Sequence, residues 1–279
     1  MNLLHALNRG YSILKSNNIG SYKIDAELIL CQSLNISREE LILNLNRSIN
    51  SNDYIKYQKD IERRKAKEPV AYILKKKEFW KNEFYISENV LIPRPESELL
   101  IEETLKLISK NQNKKLLEIG VGSGCLIVSI LKDRKNCFGT GIDCCKKAVK
   151  TANINAKLHQ IQNRIKILKS DVDNFKSGKY DFILSNPPYI DKHQLKYLDV
   201  NEFEPLKALD GGIEGTEVLM KVVLRASQLL KVNGKLIIEI GKNQKYKVIN
   251  FLYKNNFFVN KIVKDLSSID RCIICTKLC

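Results

Sequence analysis

The feature that most constrains the fold is an alternation of short apolar stretches with helical stretches from Lys115 onward. Buried apolar strands joined by helices are typical of an open, mostly parallel sheet with helices on both faces. The last two apolar stretches follow each other closely, which predicts a final strand pair. The sequence therefore predicts an α/β fold with a Rossmann-like sheet. Its strands are expected at residues 116–119, 138–142, 165–168, 182–184, 236–240, 257–263 and 272–276.

The residues before this region follow other patterns. Apolar residues recur at helical spacing through residues 1–75, and Ser37 followed by two glutamates has the order of a helix N-cap. Two aromatic-rich runs then flank residues 81–83, which predicts a β-hairpin. The domain organisation predicted is a helical bundle over 1–75, a hairpin linker over 76–94 and the α/β domain over 95–279.

The formal net charge of +16 permits nucleic-acid binding but does not require it. Residues 1–75 carry 12 Lys and Arg against 8 Asp and Glu, and the remaining residues carry 35 against 23. The charge is therefore spread evenly, with no concentrated basic arm. No apolar run approaches the roughly 18–20 residues of a membrane span, and the first residues lack the order of a secretory signal. We expect a cytoplasmic monomer that needs neither a membrane nor a direct nucleic-acid contact.

The eight cysteines are expected to be reduced thiols rather than a disulfide framework. Cys272 and Cys275 form a CxxC pattern, but they fall in a predicted strand, where residues three apart point to opposite faces. His5, His159 and His193 are scattered and have no metal-ligand or catalytic-triad spacing. We therefore expect no metal site.

A glycine-rich loop stands where a predicted strand ends and a helix begins, directly after Glu118 and Ile119. Glycines at such a place let the backbone approach a ligand closely. The spacing is tighter than that of a dinucleotide-binding fingerprint, and no Gly-Lys-Ser/Thr follows as a P-loop requires. A tight structural turn is the alternative. The loop residues expected to contact a ligand are Gly120, Val121, Gly122, Ser123 and Gly124.

Acidic residues follow the next two predicted strands. The Asp143 carboxylate, at the end of the second, can accept hydrogen bonds from both ribose hydroxyls of a nucleoside. Asp171 follows the third and can accept from the exocyclic amine of adenine, while the backbone N–H of Val172 reaches a ring nitrogen. Helix capping and a surface turn are the alternatives. Together with the glycine loop, these residues predict a nucleoside site.

The fourth predicted strand leads into Ser185-Asn186-Pro187-Pro188-Tyr189. The two prolines stiffen this loop and remove two N–H donors, which leaves the Asn186 side-chain oxygen and the Pro187 carbonyl as acceptors. Two acceptors at fixed spacing can bind both hydrogens of a planar NH2 group and direct its nitrogen toward an electrophile. Tyr189 can stack on the flat group. A structural turn between strand and helix is the alternative.

Taken together, the glycine loop, Asp143 and residues 186–189 resemble class I S-adenosylmethionine-dependent methyltransferases that modify exocyclic or amide nitrogens. Over almost its full length the chain resembles the release factor glutamine methyltransferases, the HemK/PrmC family. Further matching stretches are residues 25–28, 68–73, 90–98, 204–209, 211–215, 239–241 with Gln244, and 264–266 with Arg271. The departures are Lys75 in place of glycine, Ser97 in place of threonine, Glu118 in place of aspartate and Val172 in place of an aromatic residue.

The resemblance implies N5-methylation of the glutamine in the Gly-Gly-Gln motif of class 1 peptide chain release factors, with S-adenosylmethionine as cofactor. It implies that residues 1–75 bind the release factor and that 95–279 form the methyltransferase domain. Besides the loop and acidic residues above, Asn186 is expected to contact the cofactor. The residues expected to bind the substrate are Asn186, Pro187, Pro188 and Tyr189, of which Asn186, Pro187 and Tyr189 are expected to be catalytic.

Three other functions are compatible with the motifs. The same Asn-Pro-Pro-Tyr loop suits a flipped base, so a DNA or RNA base-amine methyltransferase is one alternative. A glutamine methyltransferase acting on a ribosomal protein is another, and a non-catalytic module that keeps the cofactor fold is the third. The sequence leaves open whether Glu202 and Glu204 belong to the active site or cap a helix.

Overall fold

The computed structural model describes residues 1–197 and 203–279. Its contacts divide the chain into two compact units, Met1–Lys76 and Lys77–Cys279. The second unit contains every motif with predicted chemistry, and the first consists of helices.

Unit Met1–Lys76 contains five helices, as the apolar spacing predicted. Asn2, Ser37 and Asn50 each accept a hydrogen bond from a first-turn backbone N–H, which satisfies a donor that the helix itself leaves free. The predicted cap at Ser37 is therefore confirmed. The helices are α1 (Leu3–Ser16), α2 (Tyr22–Leu34), α3 (Arg38–Leu43), α4 (Ser51–Lys65) and α5 (Val70–Leu74).

The last helix of this unit ends in a strained residue. Lys75 follows α5 with φ of 56°, in the left-handed region. For a residue with a Cβ this conformation costs about 1–2 kcal/mol, whereas glycine adopts it freely. This explains why the family that the chain resembles usually has glycine at this position. The lysine here adopts the left-handed conformation at a cost in stability.

Helices α1 and α4 approach closely at Gly10. A Cβ built on Gly10 would lie 2.0 Å from the hydroxyl oxygen of Tyr57, whose side chain is only 2% exposed. Gly10 therefore leaves the space that the tyrosine hydroxyl fills, and close packing of this bundle depends on the absence of a side chain there.

We expect Gly10→Ala to destabilise this unit by about 1–3 kcal/mol, because overpacking against a buried ring outweighs the helix propensity of alanine. Urea unfolding monitored by circular dichroism measures the effect. Gly20→Ala is the control, because a Cβ at Gly20 has nothing within 4 Å. Equal or greater stability of Gly10→Ala would contradict this account of the packing.

A hairpin of β1 (Lys76–Phe79) and β2 (Asn82–Tyr85) starts at the last residue of the first unit and continues into the second. The turn is Trp80-Lys81, with Trp80 at φ of 55°, so the turn predicted at residues 81–83 was placed too late. The hairpin is fixed to the sheet domain by side chains: the backbone N–H of Trp80 donates to Glu98 at 2.6 Å and that of Tyr85 to Asn155 at 2.8 Å.

Seven strands form the sheet of this unit in the order β5-β4-β3-β6-β7-β9-β8. The first five are parallel, and β9 is antiparallel to both β7 and β8. The predicted α/β fold and its final strand pair are confirmed. The strands are β3 (Lys115–Ile119), β4 (Phe138–Asp143), β5 (Ile165–Lys169), β6 (Tyr180–Ser185), β7 (Leu230–Glu239), β8 (Phe257–Lys264) and β9 (Asp270–Lys277).

Helices connect these strands and cover the apolar core, in which residues such as Ile183, Leu236 and Ile273 are fully buried. The helices are α6 (Glu98–Leu107), α7 (Cys125–Asp133), α8 (Lys146–Leu158), α9 (Lys192–Leu195), α10 (Glu217–Leu229) and α11 (Lys245–Lys254). Because β3 is flanked by β4 on one side and β6 on the other, the strand order reverses there. Ligands of open α/β sheets bind at the carboxyl ends of strands at such a reversal.

Over the described ranges, none of the helices is long and apolar enough to cross a membrane. The same residues contain no group of three or more His, Cys, Asp or Glu side chains arranged to hold a metal ion. The cysteines are free thiols, and Cys272 and Cys275 are both buried in β9.

Candidate active site

A cavity of about 670 Å³ lies at the carboxyl ends of β3, β4, β5 and β6. It brings together most of the residues predicted to bind a ligand. Two predicted residues, Gly124 and Tyr189, do not line it. The predicted residues that do are Gly120, Val121, Gly122, Ser123, Asp143, Asp171, Val172, Asn186, Pro187 and Pro188.

The glycine loop is shaped by backbone hydrogen bonds to the neighbouring strand. The N–H groups of Gly120 and Val121 both donate to the carbonyl of Ile142 at 2.9 Å. Gly120 and Gly122 have φ of 77° and 51°, and a Cβ at either would meet nothing within 4 Å. The loop thus turns through conformations that favour glycine and leaves open space beside its backbone. Gly124, at φ of 81°, is instead the N-cap residue that precedes α7.

Asp143 joins the loop to the end of β4. One carboxylate oxygen accepts from the backbone N–H of Gly122 at 2.9 Å, and the other accepts from that of Cys145 at 2.8 Å. Burial raises the pKa of Asp143, and these two hydrogen bonds partly offset the rise. A carboxylate oxygen has two acceptor sites, so each oxygen retains capacity for a ligand hydroxyl. Asp143 therefore shapes the loop while it lines the cavity.

Glu118 is a buried carboxyl group in the cavity wall, 2% exposed. It accepts a hydrogen bond from the backbone N–H of Ile127 at 3.1 Å, in the first turn of α7. Burial raises its pKa well above the ordinary value, and the neighbouring Asp143 charge raises it further. Glu118 thus stabilises the start of the helix that follows the glycine loop.

The turn after β5 carries Asp171 and Val172. The Asp171 carboxylate accepts from the backbone N–H of Asp173 at 3.1 Å, while the carbonyl of Val172 accepts from Arg225 on α10 at 2.8 Å. The backbone N–H of Val172 donates no hydrogen bond within the described ranges. Asp171 thus begins a turn, since its carbonyl accepts from the backbone N–H of Asn174, and both Asp171 and Val172 line the cavity. The sequence analysis did not predict the contact with Arg225, because Arg225 lies outside the recognised motifs.

The loop after β6 is fixed from several sides. The Ser185 hydroxyl donates to the carbonyl of Ile119 at 2.7 Å, which joins this loop to the end of β3. The Gln244 side chain donates to the carbonyls of Tyr189 and Gly215, both at 2.9 Å. These bonds hold both ends of the Asn-Pro-Pro-Tyr segment against the sheet.

A chain of hydrogen bonds runs from Asn186 into the protein interior. Its amide NH2 donates to the Ser97 hydroxyl at 2.8 Å, and that hydroxyl donates to Glu239 at 2.6 Å. The Tyr189 hydroxyl donates to the other oxygen of Glu239 at 3.2 Å. Tyr189 is thus engaged behind the loop rather than in the cavity lining. Sequence reasoning assigned no role to Ser97 or Glu239, although both lie in stretches that carry the family resemblance.

Glu239 is fully buried at the end of β7. Burial raises its pKa to about 7, against the lowering effect of Ser97, Arg271 and Tyr189. Burial also raises the pKa of Tyr189. A carboxyl group therefore titrates near neutral pH two hydrogen bonds away from Asn186.

One residue of the cavity lining belongs to an ion pair. Arg94, which lines the cavity, donates to Glu204 at 2.5 Å, and the backbone N–H of Ile92 donates to the same carboxylate at 3.4 Å. Glu204 is 4% exposed, so this ion pair fixes Arg94, which lines the cavity, to a buried carboxylate. Glu202, the other glutamate whose role the sequence left open, lies outside the described residues.

The raised pKa of Glu239 has a consequence for stability. A carboxyl group with a folded-state pKa of about 7 instead of 4.5 contributes stability that is complete below about pH 4.5 and is lost as the pH rises through about 7. Between about pH 4.5 and 8.5, ionisation of Glu239 should lower the free energy of unfolding of the wild type by up to about 3 kcal/mol. Glu239→Gln cannot ionise, so we expect its free energy of unfolding to lack this part of the decrease. Urea unfolding at both pH values measures the difference. Identical pH dependence of the two proteins would contradict the raised pKa.

Two family models match separate parts of this chain. The family model of the PrmC N-terminal domain matches residues 5–74, and that of the methyltransferase small domain matches residues 95–203. Among solved structures, a methyltransferase from Pyrococcus furiosus aligns with a TM-score of 0.55 and 20% identity over 80% of this chain and 98% of that chain. This likeness shows that the sheet and its flanking helices have a methyltransferase fold.

Two relatives show to which family of methyltransferases the chain belongs. A release factor glutamine methyltransferase from Fusobacterium nucleatum is 35% identical over 98% of this chain and 78% of the relative. One from Clostridium acetobutylicum is 32% identical over 99% of each chain. The fold defines a class I methyltransferase, as the motifs predicted. The chain belongs to the release factor glutamine methyltransferase family.

Proposed function

We propose that this protein methylates the N5 nitrogen of the glutamine in the Gly-Gly-Gln motif of class 1 release factors, with S-adenosylmethionine as methyl donor. The observation that carries the proposal is the orientation of Asn186. Its NH2 group is engaged by Ser97, so its amide oxygen remains available as an acceptor, and Pro187 lines the same cavity. The names of the relatives support the release factor as the substrate.

The residues at the ends of β3, β4 and β5 fit S-adenosylmethionine. The open space beside Gly120 and Gly122 admits a ligand against the loop backbone, and Asp143 retains acceptor sites for ribose hydroxyls. Val172 also lines the cavity, and its backbone N–H would donate to a ring nitrogen of the base. When bound, the cofactor supplies an electrophilic methyl group. The backbone of the glycine loop and the half-buried carboxylate of Asp143 would hold it.

At the other end of the cavity, the Asn-Pro-Pro segment binds the acceptor amide. The Asn186 oxygen and the Pro187 carbonyl accept the two hydrogens of the glutamine NH2, which fixes the plane of the amide. Neither Pro187 nor Pro188 has an N–H that would compete for the substrate oxygen. The contribution of these residues is orientation of a weak nucleophile rather than removal of a proton by a side chain. Tyr189 stabilises the loop from behind.

The remaining assignments follow from the substrate. We assign binding of the release factor to the unit Met1–Lys76, since residues 5–74 match the N-terminal domain of this family. Translation termination takes place in the cytoplasm, where we therefore place the protein. It acts as a monomer and requires neither a nucleic acid nor a membrane.

We expect Asn186→Ala to lower methyl transfer to a release factor at least about 100-fold, because the acceptor amide loses one of two orienting hydrogen bonds. The dissociation constant for S-adenosylmethionine should change by less than about 10-fold, because most of its predicted contacts remain. Steady-state kinetics and calorimetric titration measure the two effects.

The control is Asn153→Ala, since Asn153 is exposed on α8 and its side chain donates to the carbonyl of Val149 in the same helix. This variant should retain wild-type transfer. Unchanged turnover in Asn186→Ala would show that the amide is held elsewhere.

The glycine loop is tested separately by Gly122→Ala. A Cβ at φ of 51° is strained and would enter the space assigned to the cofactor. We expect S-adenosylmethionine to bind at least about 10-fold more weakly, measured by calorimetry. Wild-type affinity in this variant would place the cofactor away from the loop.

A further inference from the structure

The side-chain amide of Asn186 can in principle face the cavity with either end, because its oxygen and nitrogen are nearly equal in shape. Only one orientation presents an acceptor to a substrate NH2. In the structure the nitrogen donates to Ser97 at 2.8 Å, and the oxygen accepts no hydrogen bond from residues 1–197 or 203–279. Something must therefore select this orientation over its reverse.

The selection comes from the direction of the hydrogen-bond chain. Both oxygens of Glu239 accept, one from Ser97 at 2.6 Å and the other from Tyr189 at 3.2 Å. A hydroxyl has a single proton, so a Ser97 that donates to a carboxylate can only accept from Asn186. The only donor that Asn186 offers is its NH2 group. The negative charge on Glu239 thus fixes every donor and acceptor out to the cavity.

We propose that Ser97 and Glu239 are positioning residues for methyl transfer: ionised Glu239, acting through Ser97, holds the Asn186 amide oxygen toward the acceptor nitrogen. This inference rests on the proposed function and assigns roles to two buried side chains that act through Asn186. The Ser97 hydroxyl and the Glu239 carboxylate decide whether Asn186 presents its oxygen or its NH2 group to the cavity.

The groups that face Glu239 set the pH range of this arrangement. Arg271 and Tyr189 favour its charged form, Glu96 opposes it, and the buried thiol of Cys272 lies opposite it on β9. Burial dominates and raises the pKa of Glu239 to about 7. Protonated Glu239 can donate to Ser97, which can then donate to the Asn186 oxygen and turn its NH2 toward the cavity. Transfer should therefore fall as the pH drops through about 7.

The orientation of Asn186 can be tested without any substrate. In nitrogen–proton correlation spectra of the full-length protein, the Asn186 NH2 signals are identified by their loss in Asn186→Asp. We expect these signals to shift with a midpoint near the pKa of Glu239 as the pH is varied from about 5 to 8.5. The shift should disappear in Glu239→Gln. Glu103→Gln, which removes another buried carboxylate, should leave it in place.

Kinetics test the consequence for the reaction. We expect Ser97→Ala to lower kcat about 10- to 100-fold, with KM for the release factor and the cofactor changed by less than about 3-fold. Ser97→Thr, which restores the hydroxyl, should recover most of the loss. Glu239→Gln should lower kcat and flatten the decline of activity below about pH 7. Ser129→Ala, which removes a fully buried hydroxyl on α7, is the matched control and should behave as the wild type.

The outcomes separate the two proposals. Amide signals that do not titrate, or a Ser97→Ala variant with wild-type kcat, would overturn the positioning role even if the release factor is methylated. A wild-type protein that transfers no methyl group to a release factor would overturn the proposed function, while the amide spectra would still decide how Asn186 is oriented.

Discussion

The parallel pairing of β3 with β4 on one side and β6 on the other is the constraint on which the site depends. It places three strand ends at one edge of the sheet, and side chains then fix the loops that leave them. The loop after β3 bonds to the carbonyl of Ile142 and to Asp143, and the loop after β6 bonds back to Ile119 through Ser185. The cavity is therefore bounded by loops that stabilise one another.

Buried carboxyl groups are the second feature on which the site depends. An unpaired charge in the interior is costly, and Glu118 and Glu239 both have pKa values raised by burial. Each is bound by donors from a neighbouring segment, Glu118 by the first turn of α7 and Glu239 by Ser97 and Tyr189. For Glu239 stability and proposed function oppose each other, since folding favours the protonated form and the orientation of Asn186 needs the ionised one.

Much of this could be predicted from the sequence, because apolar periodicity and strand-end motifs are local signals. The strand positions, the α/β fold and the candidate residues of the glycine loop, Asp143 and the Asn-Pro-Pro segment follow from them. The hairpin turn was misplaced because the left-handed conformation of Trp80 has no signal in its residue type. The partners of Ser97 could not be predicted, because Asn186 and Glu239 are distant in sequence and meet only when the sheet forms.

The central claim is that this site methylates a release factor glutamine, and mass spectrometry of a purified class 1 release factor tests it most directly. The factor is incubated with this protein and S-adenosylmethionine, beside a Gln→Ala variant of its Gly-Gly-Gln motif and an adenine-containing DNA duplex. The account predicts one added methyl group on that glutamine, and none on the variant or the DNA. An unmodified factor would contradict the account, and a methylated duplex in its place would assign the same Asn-Pro-Pro-Tyr loop to a nucleic-acid base.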